Sequence, residues 1–188
     1  MNGINLKEYY IHDMSILKVA KLGHPILLKK AIEIKDFSSG SLKNIIYNMS
    51  ETMIDYNGIG LAAPQVHLSK RIVIFRNPDQ EESEKINISP LINPIFSPLS
   101  EETEDDWEGC LSIPGMQGLV RRYKKIVYSG FDLDGNKINN QAEGLHARVV
   151  QHEIDHLDGI LYTDRLVDKK AFGFEKEIVE FWKNEKKI

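Results

Sequence analysis

Hydrophobic residues at Leu42, Ile45, Ile46, Met49, Met53 and Tyr56 recur at the three- and four-residue spacing that lines one face of a helix. The pattern predicts an amphipathic helix from Ser41 to Asn57, with Ser41 as its N-cap and Gly58 as its stop. Helical spacing returns at His146 to Leu157, where Val149, Val150, Ile154 and Leu157 carry it, and again at Phe174, Ile178, Phe181 and Trp182. Between these segments the pattern changes. Arg71 to Phe75 and Ile86 to Phe96 are runs rich in β-branched residues, parted by the polar stretch Asn77 to Lys85. Lys124 to Leu133 alternates up to an Asp134-Gly135 turn, which predicts a hairpin. The acids at Glu81 to Glu84 and Glu101 to Asp106 read as solvated loops.

Strands grouped between helices, without βαβ alternation, predict an α+β fold. Mostly antiparallel strands should pack around the His146–Leu157 helix, with an N-terminal helix and a C-terminal helix over about 171–186. No repeat or Pro/Gly/Ser linker divides the chain, so residues 1–188 are expected to form a single domain.

With 24 Lys plus Arg against 28 Asp plus Glu, the net charge is −4 and no broad basic field is expected, which argues against direct nucleic-acid specificity. No run approaches the length of a membrane span. The start, Met1 to Tyr10, lacks the basic-then-apolar order of a secretory signal, and Cys110, the lone cysteine, cannot form an intrachain disulfide. A cytoplasmic protein is the expectation.

The sharpest chemical signal is His152-Glu153-Ile154-Asp155-His156, a His-Glu-x-x-His inside a predicted helix. Residues four apart share a helix face about 6 Å apart in rise, so both imidazoles can converge on one divalent metal. Glu153 falls beside them, where it can hold a metal-bound water and act as general base, then as general acid. Such catalytic sites usually take three protein ligands. Cys110, in the tight Glu108-Gly-Cys-Leu-Ser112 segment, is the strongest candidate for the third, ahead of Asp164 and Asp168. Gly58-Ile-Gly-Leu-Ala-Ala-Pro-Gln65 reads as a loop after a helix, with glycines that permit close backbone approach and, in Gln65, an amide donor able to polarise a carbonyl.

These three segments, in this order, resemble the peptide deformylases, with supporting similarity from Leu22-Gly-His-Pro25 through Asp158-Gly-Ile-Leu161. The resemblance implies a metallohydrolase that removes the formyl group from N-terminal formylmethionine of new polypeptides and releases formate. It implies one divalent metal on Cys110, His152 and His156, Fe(II) in the cell, with Zn, Ni or Co able to substitute. By the same carry-over, metal-bound water attacks the formyl carbon with Glu153 as general base and acid. Gln65 and the Leu111 N–H then face the formyl oxygen, and Ile59 and Gly60 border the substrate.

Two positions stand apart. Many bacterial members carry an Arg where this chain has Gln117, near the substrate entrance. Arg148, one turn before His152, reads either as an ion-paired side chain, with an acid from Glu101 to Glu108 as partner, or as a polar floor of the methionine pocket. The motif alone also admits a zinc-type endopeptidase or a non-catalytic metal-binding, ribosome-associated module. The basic end, Lys183 to Lys187, reads as a helix C-terminus that family analogy would allow to dock near the ribosomal exit.

Overall fold

A computed structural model describes residues 15–38, 40–76 and 88–183. The first amphipathic pattern becomes helix α1 (Gly40–Asp55), which starts before Ser41, so the expected cap lies within its first turn. Two backbone bonds close its end: Gly58 N–H donates to Met53 O (2.8 Å) and Asn57 N–H to Ile54 O (2.9 Å), with Asn57 left-handed at φ 55°. Asn57, not Gly58, is therefore the left-handed stop. Gly58 is small for another reason, since a Cβ there would lie 2.9 Å from Leu111 Cδ1.

The strands are β1 (Gly60–Ala62), β2 (Ile72–Arg76), β3 (Ile88–Pro98), β4 (Thr103–Cys110), β5 (Ile113–Tyr123), β6 (Lys125–Phe131), β7 (Lys137–Glu143) and β8 (Phe172–Phe174). One sheet has the order β1-β2-β3-β6-β7, the other β4-β5-β8, and every pairing within them is antiparallel. The fold is α+β, as the pattern predicts. Helix α2 (Gly144–Leu157) packs against the first sheet and against β5 of the second.

Alternation along β2 explains its unbroken apolar run. Ile72 and Ile74 join Leu42, Ile46, Met49 and Met53 of α1, whereas Val73 and Phe75 join Ala147, Val150, Ile154 and Leu157 of α2. Both faces of the strand are covered. Each fully buried aliphatic or aromatic side chain in these layers contributes about 1.5–3 kcal/mol relative to exposure.

Three expectations need correction. Glu101 to Asp106 is not a loop: from Thr103 onward it forms β4, because β5 and the residues after it supply cations opposite its acids. Arg121 donates twice to Asp105 at 2.7 Å, and Lys124 donates to Glu102 at 2.7 Å. Within the Gly58–Gln65 loop, Gly60–Ala62 pairs with β2 as a short strand. The last helix does not start near residue 171, since Phe172–Phe174 adds to the edge of β5. It begins as α3 (Glu175–Ile178) and continues through a wider π-type turn, Val179–Lys183. The polar stretch Asn77 to Lys85, Ile86, and residues 184–188 with most of the expected ribosome-docking end lie outside the described residues. No helix among the described residues is long and apolar enough to cross a membrane.

The β3–β6 pairing shifts register between Ile92 and Ile95, where Asn93 turns left-handed at φ 50°. Its side chain accepts from Ile34 N–H (2.9 Å) and donates to Ile34 O (2.8 Å), which ties the N-terminal segment to the sheet. Gly130 sits across from this bulge, and a Cβ there would lie 2.8 Å from Ile92 O, a backbone atom that cannot swing away. Gly130→Ala is expected to lower stability by about 1–3 kcal/mol, measured by urea unfolding. An unchanged midpoint would mean that the two strands part more easily than their packing indicates.

Candidate metal centre

Helix α2 carries His152 and His156 one turn apart, with ring centroids 4.9 Å from each other. The pairing of β4 with β5 shifts between Gly109 and Cys110, and this irregularity delivers the Cys110 thiol to the same place. Cys110 Sγ lies 3.2 Å from His156 Nε2, and the donor atoms of Cys110, His152 and His156 all fall within 4.8 Å of one another. Sulfur and two imidazoles at this separation fit one divalent ion. Asp164 and Asp168 bind backbone N–H groups of Leu161 and Lys170 instead.

A carboxylate fixes the first imidazole. His152 Nδ1 lies 2.8 Å from Glu108 Oε2; with that nitrogen donating, Nε2 keeps its lone pair for a metal. Glu108 also takes a two-pronged contact from Arg122 (2.9 Å each) and one from Arg148 (2.9 Å). Arg122 reaches on to Asp155, which Arg165 holds from the other side. Burial alone would raise the Glu108 carboxyl, but Arg122 and His152 hold it well below the usual carboxylate range. Burial would likewise raise the Cys110 thiol, yet His156 and His152 hold it well below its ordinary value. His152 is the counterpart: burial opposes its charge, while Cys110 and Glu108 raise its affinity for a proton well above normal. A thiol and an imidazole ligate a metal only in their deprotonated forms, so metal binding at these donors is linked to proton release.

Glu153 lies beside this group and is buried; Oε2 has no hydrogen-bond partner among the described residues. Burial pushes its carboxyl up to about 7, with the His152 and His156 charges pulling the other way. Gly60 faces it so closely that a Cβ there would run into the carboxylate. Gln65 Oε1 accepts from Ala62 N–H (2.8 Å), which turns Nε2 toward Cys110 Sγ (3.4 Å) and Ser112 Oγ (3.2 Å). Ile59, half exposed, and Leu111 border the same cleft of about 530 Å³, as do Gly60, Gln65, Arg148, His152 and Glu153. The sequence-predicted residues therefore meet in one place. For Arg148 the ion pair with Glu108 is realised, and its guanidinium also donates to Val120 O and Glu104 O, both at 2.9 Å.

Several participants had no sequence prediction. Lys21 donates to Leu111 O (2.8 Å), while Ala20 N–H and Leu22 N–H donate to Gln65 O and Ser112 O, so one short stretch clamps two of the motifs. Glu108 falls among the acids expected to pair with Arg148; its second role, holding His152, was not predicted. Arg122 and Asp155 gave no such sign, because their partners come from separate elements.

The polypeptide deformylase family profile matches residues 16–172. Peptide deformylase 1 of Nitrosomonas europaea is 47% identical over 162 residues, covering 85% of this chain and 92% of that one. Among solved structures, class I type b peptide deformylase from Acinetobacter baumannii, bound to Met-Ala-Ser, aligns with a TM-score of 0.73 at 36% identity over 80% of this chain and 99% of that one. Peptide deformylase from Thermotoga maritima aligns with a TM-score of 0.75 at 36% identity over 84% and 100%. With its Cys/His metal site in place, the chain belongs to the peptide deformylase family, enzymes that remove the formyl group from N-terminal formylmethionine.

Proposed function

We propose that Glu153 is the acid/base residue of the deformylation and that Gln65 and the Leu111 N–H stabilise the developing oxyanion. The observation that carries this reading is a buried carboxylate with an unpartnered oxygen beside a converged thiol and two imidazoles. A divalent ion held by Cys110, His152 and His156 would supply Lewis acidity at the formyl carbonyl and acidify the attacking water. Glu153 takes the proton from that water as its oxygen bonds to the formyl carbon. It then gives the proton to the nitrogen as the C–N bond breaks, and formate leaves. The Gln65 side-chain oxygen is held by Ala62 N–H and the Leu111 carbonyl by Lys21, so both donors are fixed beside the metal ligands, and donors already in position are the effective ones.

Ile59 and Gly60 border the substrate backbone. Arg148 belongs to the methionine pocket through its aliphatic stem, because its guanidinium is already committed to Glu108, Val120 O and Glu104 O. We infer Fe(II) as the ion in the cell, a choice supported by the family resemblance and compatible with the mixed sulfur and nitrogen set; Zn, Ni or Co suit the same donors. A thiolate ligand survives best in a reducing cytoplasm, which supports that location. The endopeptidase and non-catalytic readings that the motif alone admits give way to this one.

Formate release from formyl-Met-Ala-Ser, the formylated form of the peptide bound to the Acinetobacter relative, tests the reading directly when acetyl-Met-Ala-Ser serves as control. Turnover of the formyl peptide alone is expected, and Glu153→Gln should reduce kcat at least about 100-fold, in the range for general acid–base catalysis, while metal content stays near one per chain. Substantial activity in that variant would sink the acid/base assignment. Cys110→Ala should instead lose metal under dialysis that the parent survives, as read by elemental analysis; full retention would point to a different ligand. Arg148→Met should change the ratio of kcat/KM for formyl-Met over formyl-Ala peptides, and an unaltered ratio would remove Arg148 from the methionine pocket.

A further inference from the structure

Strands β4 and β5 meet in a turn of two residues: Cys110 pairs with Ile113, and Leu111 and Ser112 lie between them. The peptide group that joins Leu111 to Ser112 stands outside the ladder, so its C=O and its N–H need other partners. Each finds one. Ser112 N–H donates to Cys110 Sγ at 3.4 Å, and Leu111 O accepts from Lys21 Nζ at 2.8 Å. A cation and the sulfur of the metal centre thus sit at opposite ends of one peptide dipole.

Lys21 is not needed to dock its own segment. Ala20 N–H donates to Gln65 O (2.7 Å) and Leu22 N–H to Ser112 O (2.8 Å), which fixes the backbone on either side of it. What the side chain adds is charge and direction. Its ammonium lies 5.3 Å from the centre of the Tyr56 ring, within cation–π range, and among the described residues no carboxylate forms an ion pair with it. The central peptide of a tight turn has two orientations, those that distinguish type I from type II, which exchange the directions of its C=O and N–H. A cation on the oxygen selects the orientation that aims the N–H at the sulfur. Hydrogen bonds with an ionised partner are stronger than neutral ones, and a peptide polarised at its oxygen donates better at its nitrogen. Ser112 is fully buried, so this polarisation reaches the sulfur away from solvent.

We propose that Lys21 is a positioning residue of the metal centre: through the Leu111–Ser112 peptide it holds an N–H on the Cys110 sulfur and draws charge from that sulfur as it binds the ion. The inference rests on the reading of Cys110 as a ligand. Donors to a ligating sulfur tune the metal it binds, and losing an outer partner of this kind costs about 10- to 100-fold in metal affinity or activity. Lys21 acts one peptide removed from the sulfur, so the lower end of that range, about tenfold, is expected.

The test loads the protein with Co(II) to about one ion per chain, checked by elemental analysis, and reads the sulfur-to-cobalt charge-transfer absorption. A sulfur relieved of its donor holds its electrons less tightly. Lys21→Met should therefore move this band to longer wavelength and lower kcat for formyl-Met-Ala-Ser about tenfold. Lys21→Gln, which removes the charge, should move the band the same way, and Lys21→Arg, which keeps a cation for the carbonyl, should return band and kcat toward the parent. The band position belongs to each loaded molecule and is independent of how much of a variant folds. Lys21 also lines the cleft, so an unmoved band with a raised KM would make it a substrate contact. An unmoved band with a lowered unfolding midpoint would make it a structural clamp. Either result overturns the proposal, as does a shift that Lys21→Arg fails to reverse. A parent without the sulfur-to-cobalt band would instead overturn Cys110 as a ligand.

Discussion

The structure depends on a helix buried on its polar side as well as its apolar side. Helix α2 hides Arg148, Gln151, His152, Glu153, Asp155 and His156 from solvent, together with the apolar residues that face the sheet. Polar groups taken out of water cost free energy unless they find partners, and charges cost far more. Glu108 answers most of that demand. Its two oxygens serve Arg122, Arg148 and His152, and Arg122 carries the compensation to Asp155 and Arg165. Gln151 meets the same constraint differently, by exchanging hydrogen bonds with the Tyr123 backbone as a neighbouring strand would.

Because Glu108 and Cys110 belong to one strand, the group that orients His152 and the thiol that joins it arrive together. The N-terminal segment then ties that strand's end to the Gln65 turn through Ala20, Lys21 and Leu22. The cleft is therefore held by contacts between distant parts of the chain. A displacement of any one of them would move a donor atom, and tenths of an ångström matter for groups whose value lies in being already in position.

Much of this was legible in the sequence where local pattern and local chemistry coincide. The spacing of α1, the run of β2, the hairpin at Asp134-Gly135 and the two histidines four apart each follow from neighbours along the chain. Where the pattern misled, the cause was non-local. Glu104 and Asp105 look like solvated loop residues until β5 supplies Arg122 and Arg121 opposite them. Strand β5 escapes notice because Pro114, Gly115 and Gln117 interrupt its pattern, although Val120 and Arg122 alternate inward. Phe172 to Phe174 suits a helix face as well as an edge strand, and only the open edge of β5 decides between them. The motif residues were found, and Glu108 among the acids expected near Arg148, while Arg122, Asp155 and Arg165 were not, because a salt-bridge network leaves no periodic trace.

Gly58 and Gly60 illustrate the limit of reading glycine as a flexible residue. Neither adopts a left-handed backbone, unlike Gly135 in its hairpin turn. Both are small because something stands against them, Leu111 in one case and the Glu153 carboxylate in the other. The wall of the cleft is thus built by close approach of backbone to the Leu111 side chain and the Glu153 carboxylate. The same closeness bears on substrate choice: a carbonyl carbon bearing only hydrogen needs less room than one bearing a methyl group, and a well-packed wall resists the extra volume.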